Sequence, residues 1–172
     1  MTPAASLFKR AMPLTVREAR KGEREAIFKL LLLAEPSAGA LRWSLKNLSD
    51  AAFVLEEDGR LAGAATMRFG RRPCEIVELA VAPELHGRGY GKRLVGRLLE
   101  EARGRGKREV FVGTRSTSAG NIIFYQKCGF RPHAVRPDYF WYYDEPIYEH
   151  GILVRDMIVL RHDLAGDSGD AG

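Results

Sequence analysis

Cysteine is scarce: Cys74 and Cys128 are the only two in 172 residues. Two thiols so far apart provide neither a disulfide framework nor a metal-ligand spacing. No apolar run approaches the roughly 20 residues needed to cross a bilayer; the longest, 26–34, is interrupted by Lys29 and stops before Pro36. A secretory leader is not expected either, because Lys9 and Arg10 follow a short mixed stretch and no long apolar segment comes next. The chain shows no internal repeat, low-complexity linker or break in composition. These absences lead to the expectation of a cytoplasmic protein with reduced thiols, no metal and no membrane partner.

What is present suits one folded domain. A hydrophobic fraction of 45% can bury a sizeable core at this length. The domain is expected to span 13–164, with residues 1–12 and the small, polar stretch 165–172 as flexible termini. Lys and Arg number 27 against 22 Asp and Glu, a net charge of +5. Such an excess can serve nucleic acid, an anionic surface or a polyanionic small molecule. The basic residues are spread out, with one cluster at Arg103, Arg105, Lys107 and Arg108 and a pair at Arg71 and Arg72. No zinc-finger, homeodomain or RRM-type signature accompanies them, so nucleic acid is not expected as a partner.

Periodicity predicts strands at 14–19, 52–57, 61–69, 75–82, 109–113, 136–143 and 152–161. Helices are predicted at 23–35, 41–48, from Tyr90 to near Gly104, and at 119–127 before Gly129. Asp58-Gly59 between two alternating runs is a strong hairpin signal. The pattern is a mixed α/β domain, antiparallel in its first half, with a strand–helix–strand crossover in the middle.

The most informative segment runs from Val77 to Leu94. An apolar strand enters a glycine-rich turn, His86-Gly87-Arg88-Gly89-Tyr90-Gly91-Lys92, and continues directly into an amphipathic helix. A helix start leaves backbone N–H groups without intrahelical partners and carries partial positive charge, so it attracts anions. Glycines let a diphosphate approach the backbone, and Arg88, Lys92 and Arg93 add charge. A Walker A loop is excluded, because His86 stands at its first glycine and Arg93 at its hydroxyl position. A Gly-x-Gly-x-x-Gly dinucleotide fingerprint fails as well, at Lys92 or at Leu94. The pattern Gln/Arg-x-x-Gly-x-Gly/Ala fits at Gly89 and Gly91, with His86 in place of its first residue.

That pattern, preceded by Glu78-Leu79-Ala80-Val81 and Pro83, resembles the signature loop of the GNAT superfamily of acyl-CoA-dependent N-acetyltransferases. Downstream, the segment from Asn121 through Tyr125 to Gly129-Phe130 resembles the second signature of the same family. With the element order the likeness covers about 14–161. It implies a mixed, mostly antiparallel sheet of about seven strands, a splayed parallel pair in its middle, and about four flanking helices. It implies acetyl-CoA as cosubstrate and a primary amine, in a small molecule or a peptide, as acceptor; the protein would be a monomer or a homodimer. A non-catalytic acyl-CoA sensor on the same fold is the alternative, against which Glu78, Asn121 and Tyr125 argue.

By the resemblance, coenzyme A would lie between the strands at 75–82 and 109–113. Its diphosphate would rest on the amides of His86, Gly87, Arg88, Gly89, Tyr90 and Gly91, extending to Lys92. The pantetheine arm would pair with the backbone at Leu79 and Val81, and an amide near Leu79 or Ala80 would stabilise the oxygen that gains charge. Asn121 would bond the arm, beside Phe124; on sequence alone Asn121 or Ser118 can equally cap the helix. Tyr125 would protonate the departing thiolate, as a phenol with an ordinary pKa near 10 can. Glu78, an acid in an apolar run, is the leading general base, either directly or through water, because desolvation raises a carboxyl's pKa; a solvated or ion-paired glutamate is the competing reading. His133, His150 and Asp144 are weaker candidates, and Cys74 and Cys128 read as structural. The segment 138–150, dense in aromatics and acids, suits either a cationic acceptor or packing in the core or against a second subunit.

Overall fold

The structure, a computed structural model, describes residues 14–70 and 73–165; the Arg71–Arg72 pair and, except for Ala165, the expected flexible termini lie outside them. Five strands open the sheet: β1 (Thr15–Glu18), β2 (Ala51–Glu57), β3 (Arg60–Arg68), β4 (Glu75–Val81) and β5 (Glu109–Arg115). After β6 (Arg131–Arg136) come a short hairpin, β7 (Tyr148–Glu149) with β8 (Ile152–Leu153), and then β9 (Met157–Asp163). Among the described residues seven strands form one sheet in the order β1-β2-β3-β4-β5-β9-β6. Every neighbouring pair is antiparallel except β4–β5.

Among the described residues four α-helices cover this sheet: α1 (Arg24–Leu31), α2 (Ala38–Asn47), α3 (Tyr90–Gly104) and α4 (Ala119–Lys127). Strand alternation divides the core between the two faces. Phe53 and Leu55 of β2 point toward Leu94, Val95, Leu98 and Ala102 of α3, whereas Val54 between them meets Ile27 and Leu31 of α1 and Leu41 of α2. Ala64 and Ala80 lie on that second face, small enough for α1 to approach closely. Each fully buried leucine, such as Leu94 or Leu98, contributes roughly 1.5–3 kcal/mol.

The β2–β3 turn forms as expected: Asp58 (φ 49°) and Gly59 (φ 75°) both take the left-handed conformation of a two-residue hairpin. The strand expected at 136–143 is not there. The sixth strand ends at Arg136, and Pro137 to Ile147 fold back as turns. Asp138 has φ 51° and its N–H bonds the Asp156 carboxylate, while the Phe140 N–H reaches the Arg155 carbonyl. The rings then pack on one another, Phe140 stacking on Tyr143 at 5.5 Å. The run of five consecutive aromatic residues, Tyr139 to Tyr143, is a cluster of ring contacts. The strand expected at 152–161 is likewise two pieces, β8 and β9, separated by residues 154–156.

Helix bounds also shift. The first helix ends at Leu31, four residues short of the expected 35, in a tight turn where Leu33 and Ala34 bond the carbonyls of Leu30 and Leu31. The second begins at Ala38, not 41, because the Ser37 hydroxyl accepts the Ala40 N–H and caps it.

One irregularity matters most. Parallel pairing of β4 with β5 is confined to Glu75–Phe111 and Ile76–Val112, although each strand has seven residues. Beyond it, β4 stays on β3 as far as Val81 and β5 stays on β9 as far as Arg115. The two central strands therefore separate, and a cleft opens between them.

Candidate active site

The cleft holds about 570 Å³ and is bounded by the splayed strands, α2, the start of α4 and the aromatic turn. Glu78, Leu79, Asn121 and Tyr125 all line it. A bulge aims Glu78. Ile76 pairs with Met67 but Glu78 with Thr66, leaving Val77 as the extra residue. Regular alternation would put Glu78 on the face of Ile76, under α3. The bulge reverses this: Leu79 and Val81 follow Ile76 into the α3 side, while Ala80 lies on the other face. Glu78 turns toward α2, where the Ser44 hydroxyl donates to its Oε1 at 2.7 Å.

Burial pushes the Glu78 carboxyl up to about 7, with the Glu35 carboxylate adding to the rise; the Ser44 hydrogen bond and the Arg115 charge only partly offset it. A base that titrates near neutrality suits proton abstraction from an amine. Tyr125, one helical turn after Asn121, is 7% exposed and packs its ring against Phe124 and Phe130. Burial raises its phenol well above the ordinary value, so it stays protonated as a donor at neutral pH. Asn121 does not cap its helix; its Nδ2 points to the Thr114 hydroxyl of β5 at 3.4 Å. Ser118 stands at the N-cap position, yet its hydroxyl donates to Glu149 instead.

The glycine turn lies beyond the cleft lining, at the start of α3. Gly87 (φ 75°) and Gly89 (φ 81°) are left-handed, and the space beside each is open. Gly91 has a different reason to lack a side chain: a Cβ there would come within 3.1 Å of the Phe124 ring. Phe124 thus locks α4 against the helix start. The ring nitrogen Nε2 of His86 lies 2.8 Å from the Val81 carbonyl, tying the turn to the end of β4. Tyr90 sends its ring into the core and bonds Glu57. Arg88 lies over that ring, 5.0 Å from its centroid. An open helix N-terminus with two left-handed glycines and flanking cations fits a diphosphate. Gly89→Val is expected to weaken acetyl-CoA binding at least tenfold in calorimetry, since a β-branched residue resists positive φ and fills the approach.

Several cleft residues escaped the sequence reading. Arg115, at the end of β5, bonds Glu149 at 2.7 Å and Tyr143 at 3.3 Å and lies 3.8 Å from Glu35. Tyr143 donates to Glu35 at 2.9 Å, and Glu149 also accepts from Thr117 and Ser118. This network joins partners 28 to 108 residues apart, and no local signal marks it. The weaker base candidates divide: Asp144 lines the cleft, whereas His133 packs on Phe111 and His150 occupies the β7–β8 turn. Cys74 is buried and Cys128 half-buried, and burial raises both thiols. Neither is a ready nucleophile. Among the described residues no group of three or more His, Cys, Asp or Glu could hold a metal ion, and no helix is long and apolar enough to cross a membrane.

Residues 16–130 match the family model for the acetyltransferase (GNAT) family. The chain belongs to the GNAT family. It is 37% identical over 142 residues to the uncharacterized N-acetyltransferase YvbK of Bacillus subtilis, a span of 81% of this chain and 90% of that protein. A Bacillus subtilis acetyltransferase solved in complex with CoA superposes with a TM-score of 0.77 at 35% identity, covering 88% of this chain and 99% of the other. A GNAT family acetyltransferase from Elizabethkingia anophelis with acetyl-CoA bound gives 0.80 at 29% identity, covering 87% and 97%. This GNAT protein is an acyl-CoA-dependent N-acetyltransferase that moves an acetyl group from acetyl-CoA to an amine.

Proposed function

We propose that the reaction takes place where β4 and β5 part, with Glu78 as general base and Tyr125 as general acid. The observation that carries this reading is a half-buried carboxyl, pushed up to about 7 by desolvation, that shares one cleft with a protonated phenol. The cosubstrate supplies the activated thioester, and the residues of this chain supply everything else. The amides from Gly87 to Lys92 receive the diphosphate; that of His86, expected to join them, is already given to the Pro83 carbonyl at 3.1 Å. Leu79 pairs with the pantetheine arm, assisted by Val81, one lone pair of whose carbonyl already meets His86. Asn121, whose Nδ2 is turned to Thr114, holds the arm from α4 beside Phe124. An amide at Leu79 or Ala80 faces the carbonyl oxygen as it gains charge.

Glu78 accepts the proton of the attacking ammonium, directly or through one water, and Tyr125 donates a proton to the sulfur as it leaves. The acceptor amine, in a small molecule or a peptide, enters from the end walled by α2 and the aromatic turn. Single-turnover transfer is expected to rise with pH through about 7 and then level, because only the ionised Glu78 carboxylate accepts a proton. A rate that does not change between pH 6 and pH 8 would rule Glu78 out as the base.

A further inference from the structure

The charges around the acceptor end of the cleft are almost all paired. Glu35, 9% exposed, accepts from the Tyr143 hydroxyl and the Ser37 N–H and lies beside Arg115. Glu75 is ion-paired with Arg68. Arg115 is itself held by Glu149, Glu35 and Tyr143, so its guanidinium is not free to grip a substrate carboxylate. Among the described cleft-lining acids, that leaves Glu78, reserved for the proton, and the exposed Asp144 at the rim.

Large exposed rings fill the remaining surface. Trp43 of α2 is 60% exposed and Trp141 of the aromatic turn 84% exposed, and both line the cleft. Trp43 lines the same cleft as Ser44, the residue bonded to Glu78. Tryptophans this exposed carry an apolar cost in water that a bound flat or apolar group removes.

We infer that the acceptor is a compact monoamine with an aromatic body, an arylalkylamine, whose ring lies against Trp43 and Trp141 while its nitrogen reaches Glu78. This rests on the cleft being the transfer site, and it names the acceptor class for that site. Polyamines do not suit it, because the cleft offers a second ammonium only the water-screened Asp144. Free α-amino acids do not suit it either, because Arg115 is already engaged.

The experiment exploits composition: Trp43 and Trp141 are the only tryptophans in the chain, so its tryptophan emission reports on this cleft. With the full-length protein saturated in coenzyme A, titration with 2-phenylethylamine is expected to quench or blue-shift that emission, while spermidine and leucine at equal concentration are not. In steady state, 2-phenylethylamine should exceed propylamine, spermidine and leucine in kcat/KM by at least about tenfold, the scale of a filled apolar subsite. Trp43→Ala and Trp141→Ala should each raise the KM for 2-phenylethylamine severalfold, with the KM values for propylamine and acetyl-CoA unchanged. Preference for spermidine or leucine, or emission indifferent to the aryl amine, would overturn the assignment. Failure of Glu78 as base would appear separately, as an unchanged pH profile in Glu78→Gln with the tryptophan response intact.

Discussion

Replacing Glu78 by glutamine is expected to lower acetyl transfer at pH 8 by about 10²- to 10⁴-fold, the usual weight of a positioned general base, with the affinity for acetyl-CoA unchanged. The dependence on pH through about 7 should disappear with it. The same substitution should stabilise the fold. In the unfolded chain the carboxyl titrates at its ordinary 4.5, and in the cleft at about 7. Below pH 4.5 both states are protonated and burial costs nothing extra. Between 4.5 and 7 the unfolded state loses its proton while the native state keeps it, so wild-type stability falls as pH rises, then levels. Glutamine has no proton to lose and retains an oxygen for Ser44. The variant is therefore expected to gain up to about 3 kcal/mol above pH 7, a gain that vanishes below pH 4.5. Paired denaturant melts at pH 4 and pH 8 measure this directly. Lower activity with higher stability distinguishes a functional, partly desolvated charge from a structural one.

Tyr125→Phe carries the second large effect. The ring remains against Phe124 and Phe130, and within the described residues the hydroxyl makes no hydrogen bond that would be lost. Stability should thus stay within about 0.5 kcal/mol of wild type, while kcat falls by about 10²-fold or more, because thiolate must depart without a proton. The loss should shrink with acyl donors whose thiols are more acidic, since those leave unaided. A stopped-flow series over such donors checks the point; equal losses across the series would assign the hydroxyl a role in positioning.

Glu78 and Tyr125, the residues proposed for proton transfer, were both singled out in the sequence because each sits in a segment whose pattern is local. An acid inside Ile76-Val77-Glu78-Leu79-Ala80-Val81 is conspicuous, and Tyr125 lies one turn from Asn121 on a short helix ended by Gly129. The bulge at Val77 left no such mark. It arises from the pairing of β4 with β3, and only that pairing turns Glu78 away from the α3 core and toward Ser44. The aromatic turn misled for a related reason. A run of consecutive rings fits a strand as well as a ring cluster, and the choice was made by Asp156 and Arg155, which hold the backbone of Asp138 and Phe140.

The order of elements as far as α4, the hairpin at Asp58-Gly59, the amphipathic stripe of α3 and the glycine turn before it follow from the amino-acid sequence alone, because each depends on backbone preferences and periodicities within a few residues. The parting of β4 and β5, the near-neutral titration of Glu78 and the Arg115 network were decided only by the tertiary structure. Each depends on groups far apart in the chain meeting in a place from which water is largely excluded, and in such a place desolvation and pairing outweigh any local propensity.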